Sequence, residues 1–162
     1  MTLTIRPPRP DELPGLSDLC LRSKAVWGYS AEFLAACRAE LSFDPRDLEA
    51  TALAVASQDE KLLGVAQVRL EQGEADLQKL FVEPFALRRG VGRVLLDWAI
   101  DVATEKGAAR LTIESDPGAA SFYRRMGAYD LGEAPSRSIP GRMLPLLAID
   151  LAARLISGTD RR

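Results

Sequence analysis

The sequence predicts an α/β domain of about seven strands flanked by helices, and three observations carry that prediction. Strand-like and helix-like hydrophobic patterns alternate along the chain, with three consecutive strand patterns joined by short polar turns at its centre. A strand-like run breaks at Pro84 and leads through an arginine- and glycine-rich turn into a long amphipathic helix. The 162 residues are 47% apolar and 27% charged, enough to bury roughly two-thirds of the unfolded surface in a single domain spanning residues 1–162.

The elements follow in order. Met1 to Arg6 alternates like a strand, and Pro7-Pro8-Arg9-Pro10 is a stiff connector. Asp11 is the expected cap of a helix running to about Lys24, with Pro14 tolerated in its first turn. Ser30 is the expected cap of a second helix, in which Phe33, Cys37 and Leu41 share one face. Ala52 to Ala56, Leu62 to Leu70 and Ala75 to Val82 read as an antiparallel meander, turning at Gln58-Asp59-Glu60-Lys61 and Glu71-Gln72-Gly73-Glu74. From Val91 to Lys106 a helix places Arg93, Asp97, Asp101 and Glu105 on one polar stripe, and Gly107 ends it. Arg110 to Ser115 is the next strand, Gly118 to Met126 a short helix closed by Gly127, and Tyr129 to Gly132 and Leu144 to Leu151 are the last strands.

Composition excludes several classes of function. A net charge of −2 argues against a general nucleic-acid or membrane-surface binder, and Arg124-Arg125 and Arg161-Arg162 are separate pairs rather than a basic stripe. No histidine is present, which removes Ser-His and Cys-His nucleophile pairs and histidine metal ligands; no metal is expected. Cys20 and Cys37 lack metal-site spacing and read as buried thiols of a reduced, cytoplasmic protein. No run approaches the 18 apolar residues of a membrane span.

The turn Arg88-Arg89-Gly90-Val91-Gly92-Arg93 has the chemistry of an anion cradle. Glycines at 90 and 92 allow positive φ and close backbone approach, while the free N–H groups of the following helix and three arginines face one anion. It is not a P-loop, because no lysine follows the glycines, nor a dinucleotide fingerprint, because position 95 is leucine.

A second block, Asp116-Pro117-Gly118-Ala119-Ala120-Ser121-Phe122-Tyr123-Arg124-Arg125-Met126-Gly127-Ala128, joins the first. Together with Leu80-Phe81-Val82-x-Pro84 and the cradle, it makes the chain resemble the GNAT superfamily of acyl-CoA-dependent N-acyltransferases from Leu3 to Leu151. The resemblance implies a mixed, mostly antiparallel sheet whose fourth and fifth strands splay apart. Three positions depart from the family pattern: Leu87 stands where glutamine or arginine is preferred, Asp116 where asparagine opens the second block, and Ala128 where that block ends in phenylalanine.

The resemblance implies acetyl-CoA as cosubstrate and a primary amine as acceptor. Leu80, Phe81 and Val82 would present backbone groups to the pantetheine arm and thioester; Arg88, Arg89, Gly90, Val91, Gly92 and Arg93 would hold the pyrophosphate; Asp116 would be a further cofactor contact. Tyr123 would face the departing thiolate. With phenol near pKa 10 and a thiol near 8.5, full proton transfer is uphill by roughly 2 kcal/mol, so a hydrogen bond is the easier role. For the base, Glu114 is the first candidate, with Glu83, Gln78 through a water, Glu71 and Glu32 as competitors. Trp27, Tyr29 and Arg142 are expected at the acceptor pocket.

Two other readings remain open at this point. A non-catalytic acyl-CoA sensor would keep the cradle without a productive base, and a DNA-associated regulator of the same fold has little basic surface to work with. The strand Leu144 to Leu151 with the tail Ala152 to Ile156 either completes a sheet between subunits, giving a homodimer, or packs against its own domain.

Overall fold

A computed structural model describes residues 2–151. The tail from Ala152 onward, including the segment considered above for a dimer, lies outside the described residues.

The elements are β1 (Thr4–Arg6), α1 (Leu13–Ala25), α2 (Ala31–Leu41), α3 (Asp47–Ala50), β2 (Ala52–Gln58), β3 (Lys61–Glu71), β4 (Glu74–Val82), α4 (Val91–Glu105), β5 (Arg110–Glu114), α5 (Ala120–Arg125), β6 (Tyr129–Pro135) and β7 (Met143–Asp150). Single 3-10 turns at Pro10–Glu12, Pro84–Ala86 and Pro117–Ala119 precede α1, the cradle and α5. The strands form one sheet in the order β1-β2-β3-β4-β5-β7-β6. Among the described residues only β4 and β5 run parallel; every other pair is antiparallel. The mixed, mostly antiparallel sheet expected from the sequence is therefore present.

Local chemistry explains most boundaries. The two turns of the meander hold Asp59 and Glu60 at φ 51° and 65°, and Gln72 and Gly73 at φ 53° and 79°, the paired left-handed geometry that suits a two-residue hairpin. Ser30 caps α2 by accepting from the Phe33 N–H at 3.1 Å. Gly107, at φ 79°, closes α4.

One expectation is corrected. Asp11 does not cap the first helix: Pro10–Glu12 forms a 3-10 turn, α1 starts at Leu13, and no side chain caps it. The polar stretch before β2 contains the short helix α3, which no periodicity announced because it spans one turn. Of the two alternatives for the last strand, β7 takes the one within its own domain, paired on both sides by β5 and β6 with no edge left for a partner strand. Among the described strands β1 and β6 stand at the two edges.

The sheet buries apolar side chains on both faces. On one, Leu96, Ile100 and Ala103 of α4 pack with Val68, Leu77, Leu111, Ile113 and Leu147. On the other, Leu16, Leu19 and Cys20 of α1 and Cys37 and Leu41 of α2 pack with Leu53, Val55 and Val65. Each large side chain fully buried there stabilises the fold by about 1.5–3 kcal/mol. Gly64 sets how closely α4 approaches: a Cβ at that position would lie 2.9 Å from both Leu95 Cδ1 and the Phe81 carbonyl oxygen.

A β-bulge decides which residues of β4 face which layer. Gln67 pairs with Lys79 and Val68 with Leu77, so Gln78 is an extra residue on β4. Ala75 and Leu77 thus point to the α4 side, and after the bulge so do Leu80 and Val82. Lys79 and Phe81 turn to the side of α1 and α2. Unbroken alternation would have aimed Lys79 into the α4 core.

At the start of the chain, Arg6 donates to both oxygens of Glu12 at 2.8 and 2.9 Å, clamping β1 to the entry of α1. That bond, chiefly, holds the Glu12 carboxyl at about 2 against its ordinary 4.5. A carboxyl depressed in the folded state stabilises above its unfolded value and loses that contribution as pH falls toward the folded one. Glu12→Gln should cost about 1–3 kcal/mol in urea unfolding at pH 6, and the difference from wild type should shrink toward zero near pH 2.

Candidate active-site groove

Parallel pairing between β4 and β5 covers Ala75 with Leu111, Asp76 with Thr112 and Leu77 with Ile113, and then stops. Beyond it β4 continues to Val82 on β3 alone. β5 ends at Glu114, and the Ser115 N–H donates to the Pro145 carbonyl at 2.9 Å, drawing that chain toward β7. The Glu83 N–H donates to the Leu63 carbonyl at 2.7 Å, so alternation turns the Phe81 N–H toward β3 and leaves those of Leu80 and Val82 facing the opening. The parted strands bound a groove of about 1110 Å³.

At one end the groove meets the cradle. Leu87, Arg88, Gly90, Val91, Gly92 and Arg93 line it, whereas Arg89 does not. Gly90 has φ 80°, as expected, but Gly92 is helical, and the second left-handed residue is Arg88 at φ 65°. The first backbone bond of α4 runs from the Val94 N–H to the Gly90 carbonyl at 3.1 Å. The N–H groups of Val91, Gly92 and Arg93 have no acceptor among the described residues and open onto the groove. A Cβ on Gly92 would lie at ordinary contact, 3.5 Å from the Phe122 ring and 3.8 Å from Val82. Packing therefore tolerates a side chain there, and glycine leaves the wall bare.

Leu80, Phe81, Val82, Glu114, Asp116 and Tyr123 all line the groove. The Tyr123 ring is buried, and burial, aided by nearby Asp116, pushes its phenol well above the ordinary value. No described group hydrogen-bonds its hydroxyl, and the residue lines the groove. Phe122 meets it edge-on with centroids 5.2 Å apart.

Of the base candidates, Glu114 is exposed at the groove wall and has no bonded partner among the described residues. Glu83 is buried in an ion pair with Arg22 and lies outside the lining. Glu71 sits at the opposite end of β4, beside Glu74 and bonded by Arg69. Glu32 is exposed on α2 outside the lining. Gln78, the bulged residue, does line the groove. A carboxylate the pattern did not single out, Asp76, also lines it, but accepts from Arg69 and Thr112.

Asp116 serves neighbours other than an open cradle. Its Oδ1 accepts from the Gly118 N–H at 3.0 Å, and its Oδ2 from Tyr29 Oη at 2.6 Å and Lys24 Nζ at 3.4 Å. Arg142 lies 3.8 Å from the same oxygen and donates to Tyr29 Oη at 2.6 Å. Tyr29 stacks on Phe33 at 4.0 Å, and both Lys24 and Arg142 lie over these rings. Burial first, and then the bond to Asp116, pushes the Tyr29 phenol up to about 12. Tyr29 thus stands behind the groove wall rather than in it, while Trp27 and Arg142 line it. Trp27 covers Gly118 so closely that a Cβ there would lie 2.7 Å from the indole.

The sequence reading missed Lys79, which lines the groove from β4. Polar residues alternate with apolar ones along β4 until Gln78 and Lys79 stand side by side, and the bulge that aims Lys79 was invisible in that pattern.

Comparison with known proteins adds to this geometry. A family model described as "Acetyltransferase (GNAT) family" matches residues 21–128. Among solved structures, the PaiA N-acetyltransferase of Thermoplasma acidophilum, in complex with coenzyme A, is similar at 18% identity with TM-score 0.75, covering 93% of this chain and 99% of that one. A GCN5-related N-acetyltransferase of Rhodopseudomonas palustris is similar at 22% identity and TM-score 0.77, covering 93% and 97%. The ribosomal-protein-S18-alanine N-acetyltransferase of Escherichia coli is similar at 23% and TM-score 0.69, covering 93% and 94%.

Removing Asp116 leaves Lys24 and Arg142, with side chains 14% and 20% exposed, without their shared carboxylate. Asp116→Ala should lower unfolding stability by roughly 2–3 kcal/mol, somewhat less than for a fully buried pair, and Asp116→Asn should lower it less because the amide oxygen still accepts. Urea denaturation of the three proteins measures both.

Proposed function

The chain belongs to the acetyltransferase (GNAT) family, and from that premise we propose that residues 1–162 act as one acetyl-CoA-dependent N-acetyltransferase domain whose acceptor is a primary amine. One observation carries the reading. The unpaired N–H groups of β4, the bare N-terminus of α4, the Tyr123 hydroxyl and the unpartnered Glu114 all open onto one groove between the parted strands.

Each group has work to do there. The N–H groups of Val91, Gly92 and Arg93, with the charges of Arg88 and Arg93, suit a pyrophosphate at a helix N-terminus. Arg89, outside the lining, contributes long-range charge at most. Leu80 and Val82 offer backbone donors to the pantetheine arm and to the oxyanion formed when the amine attacks the thioester carbon. Such a donor is worth about 3–4 kcal/mol in other acyl-transfer sites.

The attacking amine must first lose a proton, and Glu114 is the wall carboxylate placed to receive it, directly or through a water. As the C–N bond forms and the C–S bond breaks, negative charge moves to sulfur. Tyr123 stays a phenol in its buried setting and donates a hydrogen bond to the departing thiolate. Asp116 shapes the acceptor wall through Tyr29, Lys24 and Arg142, and Trp27 covers the turn behind it.

The competing reading, a sensor that binds acyl-CoA without turnover, leaves unexplained why a tyrosine hydroxyl and a carboxylate stand unbonded at the same wall. The reading includes a cytoplasmic location, supported by two buried, unpaired cysteines. No described helix is long and apolar enough to cross a membrane.

Release of free coenzyme A from acetyl-CoA in the presence of mixed primary amines tests the proposal. Tyr123→Phe should lower that rate roughly 10- to 100-fold and Glu114→Gln by a similar factor, both with unchanged acetyl-CoA affinity. Amine-independent thiol release at the same rate in all three proteins would contradict it.

A further inference from the structure

Lys79 is a cation whose surroundings are incomplete. It lies on β4, turned to the α1 and α2 side by the bulge at Gln78, and lines the groove. Its ammonium donates to Gln67 Oε1 at 3.0 Å and lies 4.8 Å from the centre of the Phe43 ring. An ammonium has three donors, and no carboxylate among the described residues lies within ion-pair distance of this one. Gln67 is itself committed, donating to Thr51 Oγ1 at 3.1 Å, so it fixes Lys79 without neutralising it. Burial lowers the lysine's proton affinity, Cys20, Asp47 and Glu40 raise it, and Arg137 lowers it. A half-buried cation with no carboxylate beside it is stabilised when an anion pairs with it.

The wall around Lys79 does not supply that partner. Asp76 is bonded by Arg69 and Thr112, Glu40 accepts from Ser138, and Asp116 is shared between Lys24 and Arg142. Glu114 remains, and it stands across the opening on β5, one residue beyond the last paired position, while Lys79 is two residues beyond it on β4. The groove therefore presents an unbonded carboxylate on one lip and, on the other, an ammonium with no carboxylate partner among the described residues.

Resting on the acyl-transfer reading above, we propose that Lys79 binds a carboxylate carried by the acceptor itself, so that the acceptor is an amine of the amino-acid class rather than a polyamine. A molecule with an amine at one end and a carboxylate at the other complements both lips. It supplies the counter-charge that Lys79 lacks and leaves its amine toward Glu114. A polyamine would instead place a second positive charge beside Lys79, Lys24 and Arg142.

The chain has four lysines, Lys24, Lys61, Lys79 and Lys106, so protein labelled with ¹³C at lysine Cε has four side-chain signals. The Lys79 signal is assigned by its loss in Lys79→Met. Protein saturated with coenzyme A is titrated with N-acetylglycine, N-acetylleucine and N-acetylglutamate, each compared with its fully amidated counterpart, which has every carboxylate replaced by a carboxamide. At least one acid should shift the Lys79 signal while its amide does not. Its affinity should fall about tenfold or more in Lys79→Met and be largely restored in Lys79→Arg, with coenzyme A affinity unchanged by calorimetry. Equal responses to acid and amide, or no acid moving Lys79, would overturn the assignment. Failure of the wild-type protein to bind coenzyme A would instead overturn the acyl-transfer reading and this assignment with it.

Discussion

The parting of β4 from β5 is the constraint on which the rest of this molecule depends. Parallel strands pair by evenly spaced bonds along their length, yet here only three residue pairs form before the two chains diverge. β4 can leave because β3 still satisfies one of its edges through Val82, and β5 because Ser115 turns to Pro145. The Gln78 bulge adds the local twist that strand separation needs and reverses the facing of everything after it. Backbone groups that an ordinary sheet would consume are left on a groove wall.

What packs behind the opening keeps it from closing. Gly64 lets Leu95 and Val91 of α4 approach the sheet at the level of Phe81, and that approach points the helix's first turn at the opening. On the other side, α1 and α2 press Leu19, Cys20 and Cys37 on Val55 and Val65, holding the elements that carry Lys24 and Trp27 against the groove. Charge is then distributed unevenly. The cradle is open and basic, whereas Asp116 is fully occupied by the Gly118 N–H, Tyr29, Lys24 and Arg142. An aspartate where the family prefers an asparagine is understandable in those terms: a carboxylate, unlike an amide, balances two flanking cations.

The parts of this account that were legible in the amino-acid order are local. The two-residue turns around Asp59 and Gly73, the Ser30 cap, the closing glycines at 107 and 127 and the polar stripe of α4 all follow from rules acting over a few residues. The turn at 88–93 and Tyr123 stood out as parts of short blocks, and the structure places Tyr123 and most of that turn on the groove wall. Other features depend on distant partners. Nothing near position 78 announces a bulge, since its cause is the register with β3, and hence Lys79 could not be assigned a face. Asp116 gathers residues 87 positions before it and 26 after it in the chain, a set no local pattern contains. Asp11 misled because the connector's prolines were followed by a 3-10 turn, which passed the carboxylate role to Glu12 and its bond to Arg6.

The central claim is that the opening beside β4 and the bare first turn of α4 receive acetyl-CoA. Gly92 offers the most direct test, because its backbone is helical and a side chain there meets only ordinary contacts with Phe122 and Val82. Calorimetric titration with acetyl-CoA should show one saturable site in the wild-type protein. Gly92→Glu, which keeps the fold by circular dichroism but places a carboxylate in the cradle, should reduce that binding at least a hundredfold. Undiminished affinity in the variant, or no binding by the wild type, would contradict the account.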